Sequence, residues 1–275
     1  MGRRRPPALG QHFLHDPAIA GRIVDALSPE GRSVLEIGPG KGILTRLLAG
    51  RSERLTAVEI DRRLAEDLRQ DPRLADVAIV EGDILSRPLQ QWQDPPPGGP
   101  FLLIGNLPYQ ITSPLLFACL DSREFIDRAV LMMQREVAAR LSAREGSRTY
   151  GSISVLAALI ARAEIVLTVG KGAFKPPPRV ESAVVRLTML EQPLGGIGEP
   201  GGLSHEWVKK VVKAAFSQRR KMLRNSLKGG LTLLDPEEIA EGAAAAGIDL
   251  DRRAETLSPE EFIELARALP EQNGV

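Results

Sequence analysis

Apolar positions fall into two regimes along the chain. Up to about residue 190 they come in short runs, each ended by glycine or by a polar side chain, with stretches of helical period between them. Beyond that point they recur only at helical spacing. The short runs are Val34–Ile37, Leu55–Ile60, Val77–Val80, Phe101–Ile104 and Ala129–Met133. Compact apolar runs bounded by turn residues predict strands buried on both faces, as in a parallel sheet. Helical spacing predicts a helix over 17–27 (Ile19, Ile23, Val24, Leu27), with Pro17 behind Asp16 as its start. Another follows Gly42 and carries Ile43, Leu44, Leu47 and Leu48, and further helices fall around 62–70, 112–120 and 135–142. Strands alternating with helices predict an α/β, doubly wound, Rossmann-like fold with a mostly parallel sheet. An apolar helix at Ser152–Ala161 and alternating strands at Ile165–Val169 and Ala183–Leu190 complete this part.

Residues 191–203 are rich in glycine and proline, and the domain boundary is placed there: 1–199 as the larger α/β domain, 200–275 as a small all-α domain. In the second part, Trp207, Val208, Val211, Val212, Ala215 and Phe216 make one helical face, and Gly229-Gly230 is expected to stop that region. Asp235-Pro236-Glu237-Glu238 and Ser258-Pro259-Glu260-Glu261 are capping boxes with proline at the first helical position.

The predicted strands end in an ordered set of polar groups: Gly38-Pro39-Gly40-Lys41-Gly42 after the first, Glu59 at the second, Asp83 after the third and Asn106 at the fourth. In an open parallel sheet the ligand lies outside the carboxyl ends of the strands, so these groups share one rim. The glycines at 38, 40 and 42 leave Ile43 where a dinucleotide fingerprint needs its third glycine. An adenosyl ligand without a pyrophosphate fits better. Glu59 can accept from both ribose hydroxyls and Asp83 from the adenine amine, so S-adenosylmethionine is expected ahead of NAD. At Asn106-Leu107-Pro108-Tyr109 a side-chain acceptor, a fixed backbone and a flat aromatic face suit a planar ring bearing an exocyclic amine. The stiff loop Phe174-Lys175-Pro176-Pro177-Pro178-Arg179-Val180 sets a second aromatic beside bases.

The net charge of +1 hides a local asymmetry. Lys209, Lys210, Lys213, Arg219, Arg220, Lys221, Arg224 and Lys228 crowd one segment with Glu206 as their one opposing acid, and an acidic tail follows. That pattern predicts phosphate contacts by Arg219, Arg220, Lys221 and Arg224. Cys119 lies in an apolar run and is expected to be a buried thiol. His12, His15 and His205 have no metal-ligand spacing, so no metal is expected. No apolar run reaches the roughly 18 residues of a membrane span, and no secretory signal opens the chain, so a cytoplasmic protein acting as a monomer is expected. Tyr150, with Arg144 and Arg148 upstream, is expected near the RNA or the cofactor.

Taken together these motifs resemble the rRNA adenine N6-dimethyltransferases. Glu36 to Gly42 is similar to that family's cofactor motif, Asn106 to Tyr109 to its target-base motif, and Gly10-Gln11-His12-Phe13-Leu14 to its N-terminal cofactor motif, where the family more often has Asn at the position of His12. Phe174 to Ser182 resembles the loop that sets an aromatic against the target adenine. The resemblance implies cofactor contacts from Gln11, His12, Leu14, Glu36, Gly38, Gly40, Glu59, Ile60, Asp83, Ile84 and Asn106. It implies base contacts from Asn106, Leu107, Pro108, Tyr109 and Phe174. Ala215 to Leu227 and Arg253 to Ser258 are similar to the bacterial small-subunit branch. That branch implies dimethylation at N6 of two adjacent adenosines near the 3′ end of 16S rRNA in the small ribosomal subunit, with a role in its biogenesis. The alternatives are a large-subunit enzyme of the macrolide-resistance type, a methyltransferase of free amines or protein glutamine, and a non-catalytic assembly or RNA-binding factor.

Overall fold

The computed structural model describes residues 12–93, 99–107, 111–198, 201–218 and 220–271. Their elements run β1 (Phe13–Leu14), α1 (Pro17–Leu27), β2 (Ser33–Ile37), α2 (Ile43–Leu48), β3 (Arg54–Glu59), α3 (Arg62–Arg69), β4 (Ala78–Glu81), β5 (Phe101–Asn106), α4 (Thr112–Asp121), β6 (Ile126–Gln134) and α5 (Arg135–Leu141). Then come α6 (Ser152–Ile160), β7 (Ala161–Val169), β8 (Phe174–Lys175), β9 (Ser182–Met189), α7 (His205–Ala215), α8 (Leu223–Gly230), α9 (Pro236–Ala245) and α10 (Pro259–Ala268).

The chain divides into two compact units. One holds the chain up to Ala138 with Glu164–Met189, the other Ala139–Ala163 with Leu190 onward. In the first unit the sheet order is β4-β3-β2-β5-β6-β9-β7. From β4 to β6 all neighbours are parallel, and β9 runs antiparallel to β6. Strand order reverses at β2, whose neighbours are β3 and β5. Such a switch point opens a crevice at the carboxyl ends of the strands. The sheet is held in place by burial on both faces. Ile23, Val24 and Leu27 of α1 pack with Val34, Leu102, Ile104 and Val130 of the strands, each such side chain contributing about 1.5–3 kcal/mol. The Asp16 carboxylate accepts from the Ala18 and Ile19 N–H groups, which fixes where α1 begins. Cys119 is fully buried, and burial pushes its thiol up to about 12.

The second unit differs from the linear boundary expected near residue 199. Residues 139–163 belong to it because Tyr150 anchors them there. Tyr150 is 1% exposed, its hydroxyl donates to the Leu257 carbonyl at 3.0 Å, and its ring meets Phe216 edge-on at 6.0 Å. The expectation that Tyr150 lies near RNA or cofactor is therefore corrected: it is a core residue of the helical unit. The Gly/Pro-rich stretch packs on this unit too, with Ile197 buried and the Gly195 carbonyl accepting from Arg267. α8 ends at Gly230, so Gly229-Gly230 closes this region as expected. A Cβ at Gly230 would lie 2.5 Å from Ala214, so glycine there lets α8 close against α7. Replacing Tyr150 by phenylalanine removes one buried hydrogen bond and is expected to cost about 1 kcal/mol in urea unfolding. No helix among the described residues is long and apolar enough to cross a membrane.

Candidate active site

The glycine turn after β2 begins the pocket. Gly38, Gly40 and Gly42 all have positive φ, and a Cβ at Gly40 would press on the Phe13 ring at 3.1 Å. Only glycine meets both demands there. The buried Glu59 carboxylate holds this turn: Oε2 accepts from the Gly40 N–H and Oε1 from the Asp61 N–H, each at 2.9 Å. Each oxygen keeps a further lone pair for a ligand hydroxyl. Glu59 thus has a local structural task besides any ligand contact.

Asp83 follows β4 and caps a short 3₁₀ turn, accepting from the Leu85 N–H at 3.0 Å. Behind this turn stands Trp92, buried at 5% exposure. Its indole N–H donates to the Ile84 carbonyl at 3.1 Å, and a Cβ at Gly82 would strike its ring at 2.6 Å. The Arg87 guanidinium covers the ring 3.7 Å from its centroid. Trp92 therefore sets the height of the turn that carries Asp83 and Ile84. Trp92→Phe removes the bond to Ile84 and is expected to weaken cofactor affinity about three- to tenfold, the equivalent of one hydrogen bond, by calorimetry.

Across the pocket, β1 pairs antiparallel with β8, Phe13 opposite Lys175 and Leu14 opposite Phe174. The N-terminal motif and the aromatic loop are thus one ribbon. The His12 Nδ1–H donates to the Pro176 carbonyl at 2.8 Å, since a carbonyl can only accept. Asn106 Nδ2 donates to the His12 carbonyl at 3.2 Å. The same logic fixes the amide: the nitrogen is committed to His12, and Oδ1 remains as the acceptor. Leu107 is buried and held by its N–H to the Met132 carbonyl. Phe174 is buried at 4% exposure, with one side in the core beside Leu14 and Ala173.

Glu36, in β2, is the outlier. It is 1% exposed, and its Oε2 has no hydrogen-bond partner among the described residues. Burial, with repulsion from Glu59, pushes its carboxyl up to about 8. A buried carboxyl with an orphan oxygen is costly unless a ligand completes it.

His12, Leu14, Glu36, Gly38, Gly40, Glu59, Ile60, Asp83, Ile84, Asn106, Leu107 and Phe174 all line one pocket. Gln11, Pro108, Tyr109 and Arg219 lie outside the described residues. The pocket wall also includes Phe13, Lys41, Met133 and Ser182, which were not among the expected site residues. Phe13 and Ser182 stand inside the motifs quoted from the sequence, so their position was the available signal. Met133 carried none.

The family described as Ribosomal RNA adenine dimethylase matches residues 3–271. The chain belongs to this family. It is 43% identical over 274 residues to the "Ribosomal RNA small subunit methyltransferase A" of Geobacter metallireducens, covering 98% of this chain and 96% of that one. The protein of the same name from Myxococcus xanthus is 42% identical over 270 residues, with 98% and 92% covered. Among solved structures, the 23S rRNA methyltransferase ErmE superposes with a TM-score of 0.68 at 29% identity, covering 94% of this chain and 99% of that one. A dimethyladenosine transferase from Plasmodium falciparum shares the fold with a TM-score of 0.72 at 24% identity, covering 92% and 96%. The dimethylase is thus an S-adenosylmethionine-dependent methyltransferase by family and fold.

The basic segment of this dimethylase lies in its helical unit, in the turn between α7 and α8 and the first turn of α8. Arg220 and Lys221 are exposed. Arg224 is ion-paired with Asp251. No acid lies in the sequence between residues 207 and 234. Asp251 arrives from the acidic tail, because the Arg224 N–H is bonded to the neighbouring Leu250 carbonyl.

Proposed function

We propose that this dimethylase methylates N6 of two adjacent adenosines near the 3′ end of 16S rRNA in the small ribosomal subunit, twice on each base, in the cytoplasm. The observation that carries the reading is the convergence of cofactor-type and base-type residues on one pocket, with Asn106 at its edge presenting an acceptor. The similarity to the small-subunit methyltransferases of Geobacter and Myxococcus favours the small subunit.

The residues fit S-adenosylmethionine. The orphan Glu36 oxygen suits an ammonium group. Glu59 retains lone pairs for ribose hydroxyls. Ile60, 52% exposed, and Ile84, buried, supply apolar surface beside Asp83 for an adenine. When bound, the cofactor supplies an electrophilic methyl group. The target adenine must leave its stack to enter. Phe174 and Tyr109 receive its faces, each stacking contact contributing roughly 1–3 kcal/mol. Asn106 Oδ1 and the Leu107 carbonyl accept the amine protons and leave its lone pair outward. Positioning supplies most of the acceleration, with no general base assigned. The sheet unit carries the chemistry, and Arg219, Arg220, Lys221 and Arg224 of the helical unit grip phosphates.

The test is transfer of labelled methyl to ribosomal particles from a strain lacking the modification. Small subunits, large subunits and naked rRNA are offered in parallel. Label on adenines of small-subunit rRNA is expected. Label on large-subunit rRNA would move the chain to the resistance-type activity, and no label on any substrate, with cofactor bound, would favour a binding factor.

A further inference from the structure

Two lysines around Phe13, Lys41 in the pocket wall and Lys175 opposite Phe13 in the ribbon, have no task in the proposed reaction. Lys41, in the glycine turn, is exposed, and its Nζ stands 5.0 Å from the centroid of the Phe13 ring. Lys175, also exposed, is the register partner of Phe13 in the β1–β8 ladder. Directly opposed residues of an antiparallel pair project to the same side. Phe13 and Lys175 therefore share one side of the ribbon, and Leu14 and Phe174 are buried on the other. Lys41 and Lys175 both neighbour one aromatic ring. Neither has a carboxylate partner among the described residues, unlike Arg46, which pairs with Asp71, and Arg135, which pairs with Glu181. Two like charges gathered around one ring beside a pocket favour an anion arriving from outside the chain.

We propose that Lys41 and Lys175, set around Phe13, clamp the RNA backbone phosphate beside the target adenosine. The clamp rests on the rRNA methyltransferase reading. It gives the sheet unit its own phosphate contact, separate from the basic turn of the helical unit. An oxyanion could come from two sources, an RNA phosphate or the carboxylate of the cofactor. The phosphate is favoured because both lysines are exposed, and the orphan polar atom of the pocket interior is an acid, Glu36.

The experiment compares the parent, the double variant Lys41→Gln/Lys175→Gln and the charge-retaining Lys41→Arg/Lys175→Arg. Binding to small subunits lacking the modification is measured from 50 to 200 mM salt, and S-adenosylmethionine affinity is measured by calorimetry without RNA. Methyl transfer by the parent to those subunits establishes the underlying reading before the variants are judged. For the glutamine variant, subunit affinity is expected to fall about tenfold at low salt, with a salt slope shallower by about 0.7 for each lost phosphate contact on a single strand. Cofactor affinity is expected to hold, and the arginine variant to restore the slope. An unchanged slope would overturn the clamp. So would a loss of cofactor affinity, which would make the carboxylate the anion, or a slope that the arginine variant fails to restore.

Discussion

Asn106→Ala is expected to cut methyl transfer by about 10²–10³-fold, the usual effect of removing one pre-aimed polar group from a reacting centre, while S-adenosylmethionine binding stays close to the parent's. The amide is half-buried at the end of β5, and its Nδ2 is committed to the His12 carbonyl. That bond is why Oδ1 is the acceptor and cannot exchange places with the nitrogen. Alanine removes the acceptor and leaves the ribbon one hydrogen bond short, a loss of about 1 kcal/mol that most of the pocket does not feel. Asn106→Asp separates the two tasks. It keeps an acceptor but sets a carboxylate against the His12 carbonyl, so it is expected to impair both turnover and the ribbon. Single-turnover transfer of labelled methyl, with calorimetry of cofactor binding alongside, checks both. Parent-level turnover in Asn106→Ala would remove Asn106 from the chemistry.

The parts of this fold that could be read in the sequence are those whose cause is local. α1 begins at Pro17 because Asp16 caps it, and its bounds match the periodicity. The capping boxes at Asp235 and Ser258 close reciprocally, side chain to backbone in both directions. The strands of the parallel sheet appear at the apolar runs because burial leaves few polar positions within them, Glu36 and Thr56 being the buried exceptions. The rim of the pocket was legible for the same reason: a polar group at the end of such a run has nowhere to go but the carboxyl edge.

What escaped is non-local. β1 and β8 have two residues each and are joined across some 160 positions, as the His12–Pro176 bond shows. Two-residue strands have no period to detect. Trp92 stands in no motif of the sequence, and only the geometry behind Gly82 gives it the task of holding the Asp83 turn. Tyr150 follows Arg144 and Arg148 in a polar stretch, which suggested RNA or cofactor. Its burial depends on a carbonyl at Leu257, more than a hundred residues on. The pairing of Arg224 with Asp251 likewise joins two segments whose charge was tallied separately.

Glu36 makes cofactor binding depend on pH, and the sign follows from its surroundings. Burial and the neighbouring Glu59 raise its carboxyl to about 8 from the ordinary 4.5, so the empty pocket holds it protonated at pH 7. An ammonium group beside Oε2 needs the carboxylate, and binding then releases a proton. Cofactor affinity is therefore expected to rise with pH, by up to tenfold per unit for one proton released, and to level off above about 8. Stability without cofactor moves the other way. A group whose folded pKa is raised stabilises fully below its unfolded value, and that contribution is lost as pH climbs through 4.5 towards 8. Glu36→Gln keeps the size of the side chain and cannot ionise. In the variant the pH dependence of affinity is expected to flatten, and affinity at pH 9 to fall at least tenfold for want of the charge, in keeping with a lost charged hydrogen bond of about 1.5–3 kcal/mol. Its thermal midpoint without cofactor is expected to exceed the parent's at pH 9 and to match it near pH 5. Calorimetry in two buffers of different ionisation enthalpy counts the proton directly. A parent that releases none at pH 7, or a variant with the parent's pH profile, would mean that the orphan oxygen of Glu36 is not where the cation binds.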